Sequence, residues 1–113
     1  MSVLYHFLIG NIMKKIILLC AAGMSTSLLV NKMRKAAEDG SEQYEIDAYP
    51  VAEAVEKASG ADVILLGPQV RFQEAKVKNL LPDSKVHSID ISAYGTMNGK
   101  LVLEQAKKIM EEN

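Results

Sequence analysis

The sequence has a single cysteine, Cys20, among its 113 residues. A lone cysteine excludes an internal disulfide, CxxC redox chemistry and a cysteine-rich zinc site within one chain. We therefore expect the protein to work in a reducing compartment, which indicates the cytoplasm.

An excess of charge of one sign is also missing, because 13 Lys and Arg residues stand against 14 Asp and Glu residues, for a net charge of −1. Affinity for nucleic acid or for an acidic membrane surface needs a concentrated basic surface, which this balance does not indicate. Hydrophobic residues make up 49% of the chain and charged residues 24%. That is enough apolar material for one folded core at this length, so we expect one domain and no nucleic-acid partner.

No uninterrupted apolar run is long enough to span a membrane. Lys14 and Lys15 interrupt the apolar residues of the amino terminus, and no basic region precedes the first run, so a secretory signal does not fit. Leu19 stands just before Cys20, where a lipoprotein signal needs a small residue. We expect residues 1–12 to be an extension that contributes little to function, and the domain to span residues 13–113.

From residue 13 onward, short β-branched runs alternate with stretches of helical period, a pattern typical of βαβ units and a parallel sheet. The four predicted strands cover residues 15–20, 44–49, 62–67 and 85–90. The first and third are almost wholly apolar, as central strands must be, whereas the second and fourth are more polar, which suits sheet edges. The predicted class is therefore α/β.

Helices are predicted in the gaps between the strands, because apolar residues recur there at a spacing of three or four. The first predicted helix has an apolar stripe at Leu29, Met33, Ala36 and Ala37 and stops at Gly40. The second runs from Pro50 to Gly60 and the third from Val70 to Leu81. The last has an apolar stripe at Val102, Ala106, Ile109 and Met110.

Cys20 stands at the carboxyl end of a predicted central strand, where open parallel sheets bind ligands. A glycine and three hydroxyl residues follow and lead into a helix, so backbone N–H groups and the helix dipole can converge on one anion. The same surroundings favour the thiolate, which is the nucleophile. We predict that Cys20 receives a phosphoryl group. The predicted phosphate-binding residues are Ala21, Ala22, Gly23, Met24, Ser25, Thr26 and Ser27.

A buried small cysteine followed by an ordinary helix cap is the alternative interpretation. The phosphate-loop spacing and the position at the binding end of the sheet favour the interpretation of Cys20 as a nucleophile that receives a phosphoryl group. For Met24 two roles remain open, contact with the transferred phosphate and packing on the first helix.

The loop resembles that of the low-molecular-weight protein tyrosine phosphatases, whose pattern is C-x5-R-[S/T]. Thr26 stands where that pattern has its arginine. The Asp-Pro pair of the phosphatase general acid is also missing, since "LPDS" has the reverse order. A phosphocysteine can form here but is poorly equipped to be hydrolysed, which is the profile of a carrier.

Four segments carry a more specific resemblance: "CAAGMSTSLLVNKMR", "ADVILLGPQV", "LLPDSKV" and "YGTMNGKLVLEQA". They are similar to the IIB component of the bacterial sugar phosphotransferase system, of the lactose/cellobiose type, in order from about Lys14 to Glu111. The resemblance implies a three-layer α/β/α fold with a four-stranded parallel sheet of order 2-1-3-4, as in the low-molecular-weight phosphatases. It also implies that Cys20 accepts phosphate from a phosphohistidine of the IIA partner. The acceptor it implies is a β-linked disaccharide held by the membrane IIC partner.

The resemblance implies no cofactor and no metal, a monomer, and a protein that meets the inner face of the membrane only transiently through IIC. Thr96 and Asn98 depart from the family pattern in a loop near the site. Sugar specificity or partner affinity could therefore differ from that of other family members.

Other polar residues have simpler interpretations. Gln69 follows the other central strand and can contact phosphate or a partner, although a rigid strand-to-helix turn is the simpler role. Tyr94 and Gly95 are predicted to face a partner, and Asp90 is a candidate base. His6 and His87 are poorly placed to be phosphohistidines.

Two rival functions remain open. A flavodoxin-like module would use a similar loop for flavin phosphate, but the sequence has no tryptophan and only Tyr49 and Tyr94 near that end to sandwich the ring. A small cysteine-dependent phosphatase is the second rival, and turnover of an aryl phosphate distinguishes it from a carrier.

Overall fold

Four parallel strands form the sheet of the computed structural model, which describes residues 13–21 and 24–112, without the side chains of residues 24 and 25. The strands are β1 (Lys14–Cys20), β2 (Tyr44–Pro50), β3 (Val63–Leu66) and β4 (Lys85–Ser88). Their order is β2-β1-β3-β4, and every neighbouring pair is parallel, which confirms the predicted topology.

The burial of each strand explains its place in this order. The last five residues of β1 and all four of β3 are buried, so both must lie inside the sheet. Only Ile46 is buried in β2 and only Val86 in β4, which suits strands that have one neighbour. The assignment of central and edge strands from their polarity is therefore confirmed.

Two long helices cover one face of the sheet. They are α1 (Met24–Asp39) and α5 (Gly99–Glu111). Their predicted apolar stripes lie in one core cluster with alternate residues of β1 and β3, so these predictions are confirmed. The helices approach closely at Gly99, where a Cβ atom would lie 2.5 Å from the backbone carbon of Lys32. Only glycine fits this contact without moving a helix.

The opposite face has shorter and less regular helices, and here two predictions are wrong. A 3₁₀ turn (Val51–Glu53) precedes the single turn of α2 (Ala54–Lys57), and another (Pro68–Gln73) precedes α3 (Glu74–Leu80). The predicted helix from Pro50 does not start there, because Pro50 is extended and pairs with Cys20 as the last residue of β2. The predicted helix from Val70 is interrupted because Val70 itself has non-helical angles, φ −122° and ψ 16°.

A fifth helix, α4 (Ile91–Gly95), was not predicted, and β4 ends at Ser88, two residues before the predicted end at Asp90. The side chain of Gln105 takes over the pairing there, since its Nε2 donates to the carbonyl of Ser88 and its Oε1 accepts from the amide of Asp90. The Asp90 carboxylate then accepts from the amide of Ala93 and begins α4.

Across the described ranges, none of the helices is long and apolar enough to cross a membrane.

Candidate functional site at the carboxyl end of the sheet

Cys20 is the last residue of β1 and lies between the ends of β2 and β3. Its residue surface is only 2% exposed, and its thiol donates a weak hydrogen bond to the carbonyl of Tyr49, with 3.7 Å between sulfur and oxygen. Ala21 follows as an exposed bend, and α1 begins at Met24. The one thiol of the chain therefore stands between the end of a central strand and the start of a long helix.

Thr26 lies in the first turn of that helix and is 1% exposed. Its Oγ1 is the one buried side-chain oxygen or nitrogen without a hydrogen-bond partner in the part of the chain that the structure describes. Burying a hydroxyl without a partner costs about 1–3 kcal/mol on mutational scales. This hydroxyl lies six residues after the thiol in the sequence, in the first turn of the helix that follows it.

The remaining predicted phosphate-binding residues divide into three groups. Ser27 is exposed on the first turn of α1. Met24 and Ser25 belong to α1, but their side chains lie outside the description. Ala22 and Gly23 lie outside the described residues altogether.

Positive charge at this site comes from backbone dipoles, because residues 20–27 include no Lys, Arg or His. The first turn of α1 also carries no acidic residue. The positive dipole end of this 16-residue helix therefore begins four residues after Cys20 and carries no carboxylate to neutralise it. This arrangement favours an anion, and a sulfur anion or a phosphoryl group both qualify.

Gly67 forms the side of the site next to β3. Its amide donates to the carbonyl of Leu19 with an N–O distance of 2.8 Å, so the chain leaving β3 stays beside the residue that precedes Cys20. The carboxamide of Gln69 and the ring of Tyr94 both approach Gly67. Sequence reasoning placed Gln69 and Tyr94 at this end of the sheet but did not bring them together.

Each of the four connections that leave the carboxyl ends of the strands carries an exposed large apolar side chain. We call this set the apolar rim, and its members are Leu28, Val55, Phe72 and Ile91. Phe72 is the most exposed, at 78%. The rim was not predicted from the sequence. The signal was available, because each member is an apolar residue that does not belong to the buried stripe of its helix.

Asp90, Thr96 and Asn98 have local roles instead. The Asp90 carboxylate is engaged in capping α4, Thr96 donates its hydroxyl to the carbonyl of Ser92, and Asn98 caps α5 through the amide of Leu101. The two departures from the family pattern thus hold the turn between α4 and α5.

Neither histidine lies in the described site. His87 is a middle residue of β4, with its Nε2 3.9 Å from a carboxylate oxygen of Glu112, and His6 lies outside the described residues. Searching residues 13–21 and 24–112 finds no cluster of three or more His, Cys, Asp or Glu side chains that would hold a metal ion.

The fold and this site define a class: a small parallel α/β protein with the low-molecular-weight phosphatase architecture and a cysteine loop that lacks the arginine. The family model "PTS system, Lactose/Cellobiose specific IIB subunit" matches residues 15–105. The chain therefore belongs to the lactose/cellobiose-specific IIB family of the phosphotransferase system (PTS).

Sequence relatives agree over nearly their whole length. The chain is 42% identical over 100 residues to the oligo-beta-mannoside-specific EIIB component of Bacillus subtilis (strain 168), covering 87% of this chain and 97% of that protein. It is 44% identical over 104 residues to the cellobiose-specific EIIB component of Lactococcus lactis subsp. lactis (strain IL1403), covering 86% and 96%. The galactose-specific EIIB component of Lactococcus lactis subsp. cremoris (strain MG1363) is 43% identical with the same coverage.

Solved structures support the same fold. The cellobiose-specific IIB component of Borrelia burgdorferi matches with a TM-score of 0.70 at 35% identity, covering 86% of this chain and 91% of that one. The lactose-specific IIB domain of Streptococcus pneumoniae matches with a TM-score of 0.76, covering 85% and 96%, and at 17% identity it shows the fold alone. IIB components are sugar-phosphorylating transferase domains that work with IIA and IIC partners, and the predicted fold class and family are confirmed.

Proposed function

We propose that Cys20 is the phosphorylated residue of this IIB component and that residues 13–113 form the phosphocarrier domain. In the first step the Cys20 thiolate attacks the phosphorus of a phosphohistidine on IIA. The P–N bond breaks, a P–S bond forms, and the released imidazole takes up a proton. In the second step a sugar hydroxyl held by IIC attacks the same phosphorus, losing its proton as the P–S bond breaks.

The observation that carries this proposal is that the thiol at the end of β1 is followed, in the first turn of α1, by the buried and unpartnered hydroxyl of Thr26. A phosphoryl group on the sulfur carries oxygens that need hydrogen-bond donors. The Thr26 hydroxyl supplies one donor, and backbone N–H groups of the segment from Ala21 to Ser27 supply the others. A phosphoryl group in this position would end the unsatisfied state of Thr26.

The same residues favour transfer over hydrolysis. Hydrolysis needs a base that positions and deprotonates water. The segment 20–27 contains no carboxylate, and the candidate base Asp90 already accepts a hydrogen bond from the amide of Ala93. Without an arginine or a free base, a phosphocysteine persists until a sugar acceptor arrives. A small phosphatase is therefore the weaker alternative.

The sugar acceptor we propose is a β-linked disaccharide of the cellobiose and lactose class. Two of the relatives named above are specific for cellobiose and for oligo-beta-mannosides, and the third is specific for galactose. The sugar itself would be held by the IIC partner, so the choice among these sugars is made there. The flavodoxin-like alternative loses support, because the chain has no tryptophan and no aromatic residue in segment 20–27.

The IIA partner would cover the carboxyl end of the sheet during transfer. Cys20 is 2% exposed, so a phosphohistidine reaches it only if the donor protein contacts the residues around it. The apolar rim belongs to the connections that leave this end of the sheet, and apolar contacts around a reacting centre exclude water. We place the monomeric protein in the cytoplasm, with contact to the membrane only through IIC.

The test is a reconstituted assay in which IIA, phosphorylated by its upstream donors, and IIC-containing membranes phosphorylate cellobiose. Cys20→Ser is nearly isosteric and is expected to abolish sugar phosphate formation while circular dichroism stays unchanged. Ala75→Ser, an exposed change of the same size on α3, is the control and should be fully active. An active Cys20→Ser protein would overturn the assignment, and steady turnover of an aryl phosphate by the wild type would support the phosphatase instead.

A further inference from the structure

The side chain of Gln69 folds back towards Gly67, although the residue is exposed. Its Oε1 lies 3.3 Å from the position that a Cβ atom would occupy on Gly67. The same position lies 3.6 Å from the carbonyl oxygen of Leu19 and 3.8 Å from Cε2 of Tyr94. The carboxamide therefore lies close to Gly67, which follows β3 and is hydrogen-bonded to Leu19, the residue before Cys20.

No structural contact explains this conformation. Gln69 is an exposed residue, and within the described residues its carboxamide has no hydrogen bond or ion pair. Glutamine loses considerable side-chain entropy when it is held in one conformation. A carboxamide with two free N–H donors at the carboxyl end of a central strand is thus available to a ligand at Cys20.

The donors proposed above for the phosphoryl group come from one part of the chain. They are N–H groups and the Thr26 hydroxyl of segment 20–27, which leads into α1. A transferring phosphoryl group spreads negative charge over three oxygens, and hydrogen bonds to that charge are stronger than neutral ones. No cationic side chain in the segment serves the oxygen that points towards β3.

We propose that the Gln69 carboxamide, which lies close to Gly67, donates a hydrogen bond to the phosphoryl group as that group moves on to Cys20. Gln69 neither gains nor loses a proton. It stabilises the charge on one phosphoryl oxygen while the P–N bond breaks and the P–S bond forms. This inference rests on the proposed function of Cys20.

Gly67 offers an independent way to move the carboxamide. Its backbone angles, φ −62° and ψ 156°, are extended and open to any residue, so alanine would cause no backbone strain there. The methyl group would instead meet Gln69 Oε1 at 3.3 Å, which is tighter than ordinary contact. Gly67→Ala is therefore expected to displace the carboxamide and to leave the strand as it is.

The experiment measures the rate at which phosphorylated IIA transfers phosphate to Cys20, by rapid quenching and intact mass spectrometry. We expect Gln69→Ala to slow transfer about tenfold, the effect of one hydrogen bond to a charged group. Gln69→Glu should slow it further, because a carboxylate repels the phosphoryl oxygens. Gly67→Ala should slow transfer by less, because the carboxamide need move only a few tenths of an ångström, and the double variant should be no slower than Gln69→Ala, since both changes act on the same contact.

Two controls separate this role from a structural one. Gln43→Ala changes an exposed glutamine before β2, far from Cys20, and should transfer at the wild-type rate. Alkylation of Cys20 by neutral iodoacetamide should proceed equally in all variants, because that reaction involves no phosphoryl oxygen.

Wild-type transfer in Gln69→Ala, or alkylation that falls in parallel with transfer, would overturn the inference. Additive effects in the double variant would also overturn it. Failure of the proposed function is distinguishable, because the wild-type protein would then carry no phosphate on Cys20 at all.

Discussion

The two ends of the sheet differ in whether their polar groups have hydrogen-bond partners within the chain. At the amino end, Asp62 accepts from the amide of Lys15 at 2.8 Å, the Ser84 hydroxyl donates to the carbonyl of Ala61 at 2.6 Å, and the Lys85 ammonium caps the last carbonyls of α5. At the carboxyl end, the Thr26 hydroxyl and the Gln69 carboxamide have no hydrogen-bond partner within the described residues, and the apolar rim is exposed.

This difference teaches that stability and function are separated along the strands. Polar groups at the amino end are satisfied by the folded chain itself and contribute to its stability. At the carboxyl end, the buried Thr26 hydroxyl has no partner in the described part of the folded chain and costs stability in the isolated domain, whereas the exposed Gln69 carboxamide is hydrated. Substitutions at the amino end should therefore lower the free energy of unfolding without changing transfer, and substitutions at the carboxyl end should slow transfer without lowering the free energy of unfolding.

The largest effect is expected from Thr26→Val, which removes the hydroxyl and keeps the shape. Loss of one hydrogen bond to a charged phosphoryl group should slow phosphoryl transfer roughly 10–100-fold. The free energy of unfolding should stay level or rise, because the substitution also removes an unsatisfied buried polar atom. Rapid-quench transfer rates check the effect on transfer, and urea denaturation checks the effect on the free energy of unfolding. Thr26→Ser, which keeps the hydroxyl, should retain most of the activity.

Asp62→Ala should show the opposite signature at the amino end. It leaves the amide of Lys15 without its acceptor, which should lower the free energy of unfolding by about 1–2 kcal/mol, measured by urea denaturation. The transfer rate of the folded protein should not change. Asp62→Asn keeps an acceptor oxygen and should be nearly as stable as the wild type, whereas a transfer defect in Asp62→Ala would mean that the two ends are coupled.

Phe72→Ser tests the apolar rim. Because the side chain is 78% exposed, stability should change little. Transfer from phosphorylated IIA at limiting concentration should fall roughly fivefold, as for removal of about 1 kcal/mol of contact energy. Met13→Ser, which changes an exposed apolar residue just before β1 at the other end of the sheet, is the control, and an equal defect there would rule out a specific role for the rim.

The smallest effect concerns the Glu74 carboxylate, which joins α3 to β4. Its hydrogen bond from the Ser88 hydroxyl, at 2.7 Å, lowers the pKa of Glu74 below its ordinary value of 4.5, with a smaller contribution from Lys78. A lowered folded-state pKa gives stability that is present above pH 4.5 and is lost as the pH falls through the lower value. Glu74→Gln should therefore flatten the acid limb of the stability profile, with transfer at pH 7 unchanged.

The fold was largely predictable from sequence where helices are long. The stripes of α1 and α5 repeat over several turns and pack on one face of the sheet, so a weak preference at each position adds up. On the other face, α2 is a single turn and α3 is preceded by a 3₁₀ turn. Their boundaries depend on the pairing of Pro50 with Cys20 and on the conformation of Val70, which no periodicity encodes.

The site was predictable only in part. A lone cysteine at the end of an apolar run, followed by small and hydroxyl residues, is a local pattern that the sequence displays. The approach of Gln69 and Tyr94 to Gly67 joins three positions through space, and the sequence does not reveal such contacts. The role of Asp90 as a helix cap likewise depends on α4, a helix too short to show a period.

The central claim is that Cys20 itself carries the phosphoryl group. Its most direct test is to mix the protein with phosphorylated IIA, without sugar or IIC, and to map the product by intact and fragment mass spectrometry. We predict one added phosphoryl group, on Cys20, that persists in buffer and is discharged when IIC and its sugar are added. Phosphate on any other residue, or its rapid release as inorganic phosphate without sugar, would contradict the account.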